Sequence, residues 1–139
     1  MAAATKRPTH VLVFWDEPAI LQLVTQVCIE EGYAVTTVRT VADALMVLRT
    51  SLHPIVALCE RDHSSLPPDG PFFQHIYDLP DVYGQHRYIA FHSWQLSPEE
   101  QALLDALGVP LVSVPFSLTM LLEQIEQAAA SLAPGSSSA

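Results

Sequence analysis

The sequence predicts an α/β protein: a doubly wound sandwich in which a five-stranded parallel sheet carries helices on both faces. Three observations lead there. Short apolar runs alternate five times with segments of helical periodicity, the pattern of repeated βα units. The runs are rich in apolar residues, as strands buried on both faces require. The chain has 139 residues, half of them hydrophobic and only 15% charged, which suits one domain with a substantial core. Right-handed crossovers between such units place helices on both sides of the sheet.

The elements follow in order. His10–Trp15 is an almost unbroken apolar run and reads as the first strand. Ile20, Leu23, Val24, Val27 and Cys28 then recur at helical spacing, Asp16 is placed to cap this helix, and Gly32 to end it. Tyr33–Val38, with its β-branched residues, is the second strand. Thr40 with Asp43 resembles a capping box, opening a helix that turns Val41, Ala44, Leu45 and Leu48 to one side. Pro54–Cys59 is the third strand, followed by a loop through Gly70 and a short aromatic helix around Phe72, Phe73, Ile76 and Tyr77. Tyr88–Phe91 is the fourth strand. Ser97-Pro98-Glu99-Glu100 starts the next helix with a cap, a first-turn proline and a glutamate, and Gly108 stops it after Leu107. Pro110–Val114 is the fifth strand, and Ser117 to Leu132 the last helix, with Leu118, Leu121, Leu122 and Ile125 inward. The small, polar ends, 1–8 and 133–139, read as disordered tails around a domain at 9–132.

Charge narrows the partners. The chain has 15 acidic residues against 6 Lys and Arg, a net charge of −9, and Lys6 is its single lysine. Scattered arginines form no basic stripe for phosphates, so nucleic acid is excluded as a direct partner. The cluster of cations that anionic lipid attracts is missing too. Two readings of the acidity stand: a positively charged partner, or solubility alone. Cys28 and Cys59 sit in apolar runs and read as buried free thiols. Without a signal-like or membrane-spanning stretch, the expected location is cytoplasmic.

In doubly wound folds, sites lie outside the carboxyl ends of the strands. That rule selects Trp15, Asp16 and Glu17, then Glu60 and Asp62, then His92 and Ser93, then Val114 and Pro115. Asp16, Glu17, Glu60 and Asp62 form an acidic group. Converging carboxylates hold Mg²⁺; carboxylates that do not converge cap helices or face water, and spacing along the chain leaves both readings open. Glu60 and Asp62 with His63 and His92 are also ligand types for a transition metal, so a metal- or small-ligand-binding module is the alternative function. His10, His53 and His86 read as surface or strand-flanking residues. Asp16-Glu17-Pro18 stands where a flavin site would need a phosphate-binding loop. No Ser/His/Asp or Cys/His arrangement accompanies an oxyanion-hole loop, and Cys59 is expected to face the core, so an enzyme is not expected.

Val11-Leu-Val-Phe-Trp-Asp-Glu-Pro18, Glu31-Gly32-Tyr33, Asp69-Gly70, Gly108 and Pro115-Phe116 fall in an order and spacing that resemble the receiver domain of two-component response regulators, over residues 9–132. The resemblance implies a flavodoxin-like sheet in strand order 2-1-3-4-5. It also implies an aspartyl phosphate at the end of strand three, Mg²⁺ held by an acidic pair, a Ser/Thr after strand four and a lysine ending strand five. Mapped onto this chain, Trp15 takes the first acidic position and Asp16 the second, Glu60 the phosphoacceptor, His92 or Ser93 the hydroxyl, Val114 the lysine, and Leu111 the switch aromatic of strand five. Any Mg²⁺ would fall to Asp16 and Glu60. No alignment supplies a strand-five lysine, because Lys6 is the only one. Glutamate for aspartate shifts the attacking oxygen by about one bond, ~1.5 Å, and misplacements near 1 Å cost about a hundredfold in rate.

The expectation is a degenerate form, a pseudo-receiver: a stand-alone signalling domain of a two-component or phosphorelay system that forms no aspartyl phosphate and works by protein contact. By the resemblance, its partner, a signalling protein or a second copy, docks on the fourth helix, fifth strand and fifth helix. Trp94, Gln95 and Leu96 read either as interface anchors or as a cover over the site. A variant reading makes Glu60 a fixed mimic of the phosphorylated state, with Arg61 or Arg87 as substitute cation. The family further implies a cis Val114–Pro115 bond.

Overall fold

The computed structural model describes residues 9–15, 17–60, 72–92, 98–113 and 117–132, with backbone alone at Glu60, His92, Glu100 and Ser113. Strands and helices alternate as the periodicity predicts: β1 (His10–Phe14), α1 (Pro18–Glu30), β2 (Ala34–Val38), α2 (Val41–Thr50), β3 (Ile55–Glu60), α3 (Phe72–Asp78), β4 (Arg87–His92), α4 (Pro98–Leu107), β5 (Leu111–Ser113) and α5 (Leu118–Leu132). A single helical turn, Pro80–Tyr83, follows α3. Its four residues are too few to show a period, although Pro80 at its start and Gly84 at its end are ordinary boundary residues.

All strands are parallel, in the order β2-β1-β3-β4-β5. Alternation along the strands divides the core into two layers. Leu12, Phe14, Ala57, Cys59, Tyr88 and Ala90 pack with α2, α3 and α4. Val11, Val13, Val56, Leu58, Ile89 and Phe91 pack with α1 and α5 on the other face. The first layer is aromatic: Phe72 meets Phe14 edge-on at 5.4 Å and Tyr88 at 6.2 Å, and the Tyr88 hydroxyl donates to the Tyr83 carbonyl at 2.9 Å.

Local signals hold where the residues are described. Thr40 Oγ1 accepts from the Asp43 amide at 3.1 Å, and Val41, Ala44, Leu45 and Leu48 are all buried. Gly32 and Gly108 end α1 and α4 with φ of 91° and 69°, a left-handed conformation that a Cβ strains. The cap of α1 differs from the expectation: Glu17 is its N-cap, its Oε1 accepting from the Ile20 amide at 3.0 Å. Leu118, read as inward, is 41% exposed, and Leu23, on the apolar recurrence of α1, is 48% exposed. Each helix buries only a narrow stripe, Val24 and Cys28 on α1 or Leu121 and Ile125 on α5, and these residues flank it.

His86 is the larger correction. Read as a surface or strand-flanking residue, it does flank β4, but it is 2% exposed. Its Nδ1 accepts from the Ile55 amide at 2.9 Å, and its Nε2 lies 2.8 Å from the Leu48 carbonyl. Accepting at Nδ1 fixes the neutral tautomer that donates from Nε2. One ring thus ties the end of α2, the start of β3 and the entry to β4. His10 opens β1 and His53 stands two residues before β3, their rings stacked at 4.8 Å. Among the described residues, no helix is long and apolar enough to cross a membrane.

Candidate functional site at the carboxyl edge

Parallel pairing brings the carboxyl ends of β1, β3, β4 and β5 to one edge. Phe14 pairs with Cys59, Glu60 with Phe91, and His92 with Ser113. Trp15, one step beyond Phe14, therefore stands level with Glu60 and Phe91. The sheet brings together the backbone positions of Trp15, Glu60 and His92, as the sequence predicts. Asp16, Asp62, Ser93 and Val114 lie outside the described residues, as do Arg61, His63, Trp94, Gln95, Leu96 and the Val114–Pro115 bond.

Trp15 defines the chemistry of this edge. Its side chain is 3% exposed and belongs to the layer between the sheet and α1 and α5. Its ring centroid lies 5.0 Å from that of Phe91, tilted by 50°, and its amide donates to the Val38 carbonyl at 3.3 Å. Strand alternation is the cause. Val11 and Val13 face the same layer, and Trp15 continues their row. This position carries an indole sunk in the core, and Phe91 is the partner that sequence reasoning missed. Its aromatic character was the only signal.

Of the two positions assigned to Mg²⁺, Asp16 lies outside the described residues and Glu60 is described in backbone alone. Glu17 spends its Oε1 on the cap of α1. Among the described residues, no three His, Cys, Asp or Glu side chains converge to hold a metal ion. Trp15 offers no oxygen to Mg²⁺, which takes oxygen ligands in near-octahedral array.

Two other positions change meaning. Leu111, read from the sequence as the switch-equivalent residue, is partly buried against the α2–α3–α4 layer, an aliphatic contact. Arg87 opens β4, whereas Glu60 ends β3. Arg87 pairs with Val56, four residues before Glu60, and at about 3.3 Å of rise per residue some 13 Å of strand separates the two. It is no substitute cation for Glu60. Cys59 faces the core as expected, a free thiol whose pKa burial raises; burial and then the Glu31 charge raise that of Cys28, also free, to about 11.

No protein-family model matches the chain, and no curated protein does. Solved structures do. A CheY-like response regulator receiver domain protein from Methanospirillum hungatei JF-1 is similar at a TM-score of 0.74, with 20% identity over 87% of this chain and 93% of that one. The beryllofluoride-activated NtrC4 receiver domain dimer matches at 0.72 and 22% identity, over 89% and 98%. The signal receiver domain of a modulated diguanylate cyclase from Desulfovibrio desulfuricans G20 matches at 0.73 and 18%, over 91% and 97%. The fold of this chain is that of CheY-like receiver domains.

Proposed function

We propose that this chain is a receiver-fold signalling domain of a two-component or phosphorelay system that has left the aspartyl-phosphate cycle and acts through protein contact. Burial of Trp15 against Phe91 carries the reading. Phosphoryl transfer depends on placing and neutralising the transferring oxygens, and in receivers a metal on the acidic pair does much of this. Here one acidic position is apolar and buried, and the only lysine is Lys6. Glu60 in place of aspartate adds a third departure.

The proposed contact surface is α4, β5 and α5. At the start of α5, Leu118 and Met120 are 41% and 45% exposed, apolar groups that association would cover. No Lys or Arg follows Arg87 in the sequence, while Glu99, Glu100, Asp105, Glu123 and Glu126 do. That charge favours a partner with a positive face over a second copy, where like charges would meet.

The test is incubation with Mg²⁺ and acetyl phosphate followed by intact mass. The expected spectrum is unshifted, and stoichiometric phosphorylation of Glu60 would overturn the proposal. In parallel, Met120→Glu should weaken partner binding and leave the fold intact by circular dichroism.

A further inference from the structure

A second feature lies at the opposite edge of the sheet. β5 has only three residues, and its pairing with β4 begins at Ala90 and Leu111. The first three residues of β4, Arg87 to Ile89, thus have no β5 partner. A groove of about 890 Å³ opens beside Arg87 and Tyr88. Ile76 and Tyr77 of α3, Leu107, Val109 and Pro110 between α4 and β5, and Ala128 of α5 supply apolar walls. That volume suits a small organic ligand.

Arg87 is half-buried in this groove. Its Nε donates to Ser131 Oγ at 2.9 Å, and its Nη1 to the carbonyls of His86 at 3.0 Å and Gly84 at 3.4 Å. All three acceptors are neutral. These bonds hold the guanidinium plane in place, while Nη2 makes no hydrogen bond among the described residues. A fixed cation with no carboxylate partner among the described residues, set among apolar walls, is matched to an anion.

We propose that this groove is a binding site for a small amphipathic carboxylate, with Arg87 as the anion-binding group. One guanidinium balances one negative charge. In a chain of net charge −9, a phosphate dianion would stay undercompensated, whereas a carboxylate is neutralised. The apolar body of the ligand covers Ile76, Leu107 and Val109. Gln124 and Gln127 line the same groove and carry amide donors for the second carboxylate oxygen.

Amide-resolved NMR titration of the intact chain tests this with octanoate and phenylacetate as probes, and octanol and phenylacetamide as neutral counterparts. Saturable shifts are expected at Ile76, Tyr77, Arg87, 107–109 and 127–131, with the carboxylates binding about tenfold more tightly than their counterparts. Arg87→Gln should remove about that factor. Gln127→Trp, which leaves every Arg87 hydrogen bond in place, should block binding by filling the groove. Absence of saturable shifts at millimolar probe overturns the proposal. So does equal affinity for charged and neutral probes, a comparison made on the unaltered chain and independent of how any variant folds.

Discussion

Trp15 and His86 show two ways a single residue escapes a reading of pattern alone. At Trp15 the residue type was legible and its depth was not, because an aromatic just past a strand is as ready to cover a site as to fill a core. Being buried against Phe91, Trp15→Ala should cost about 3–5 kcal/mol in denaturant unfolding, and Trp15→Asp should destabilise without restoring phosphoryl uptake. His86 escaped because nothing near it in sequence announces partners 31 and 38 residues away. Burial lowers its pKa, against the weaker opposing effect of the Leu48 carbonyl. The unfolded chain therefore takes up a proton before the folded one as pH falls. The contribution of His86 is complete above the ordinary imidazole range, near pH 6.5, and is lost progressively below it. Urea unfolding at several pH values should show that slope, and His86→Ala should flatten it while orphaning two backbone groups at about 1–3 kcal/mol each. Cys28 and Cys59, buried with raised pKa values, should react with thiol reagents at a rate set by unfolding.

At the scale of elements, boundaries written in side-chain chemistry were the most legible. The Thr40 cap and the Gly108 stop are local and need no tertiary context, so Thr40→Ala should lower stability by about 1 kcal/mol, read as a shift of the denaturation midpoint at unchanged slope. What periodicity left open was the choice between neighbours on one helix. Leu23 and Val24 are both apolar, yet only Val24 is buried, and the geometry of packing decides between them. The Pro80–Tyr83 turn carried too few residues to register, though it sets the Tyr83 carbonyl that receives the Tyr88 hydroxyl. β5 begins at Leu111, one residue later than read, and the groove beside Arg87 lies where β4 has no β5 partner.

For the molecule as a whole, five βα units were enough to specify the sheet, since parallel pairing and right-handed crossovers leave few alternatives. The carboxyl edge was less legible: the chain order identifies which residues arrive there, but not whether their side chains turn toward solvent or core. The strand order also sets a schedule for folding. β1 is flanked by β2 and β3, the next two strands in sequence, so the first sixty residues can complete the centre of the sheet before the rest is synthesised. β4 and then β5 only extend its rim. Substitutions such as Val13→Ala or Leu58→Ala should therefore slow refolding, while Val112→Ala, on the rim strand, should chiefly hasten unfolding. Stopped-flow kinetics would resolve the two, and the same order implies that a nascent chain resists proteolysis in its amino-terminal half while its last strand is still being made.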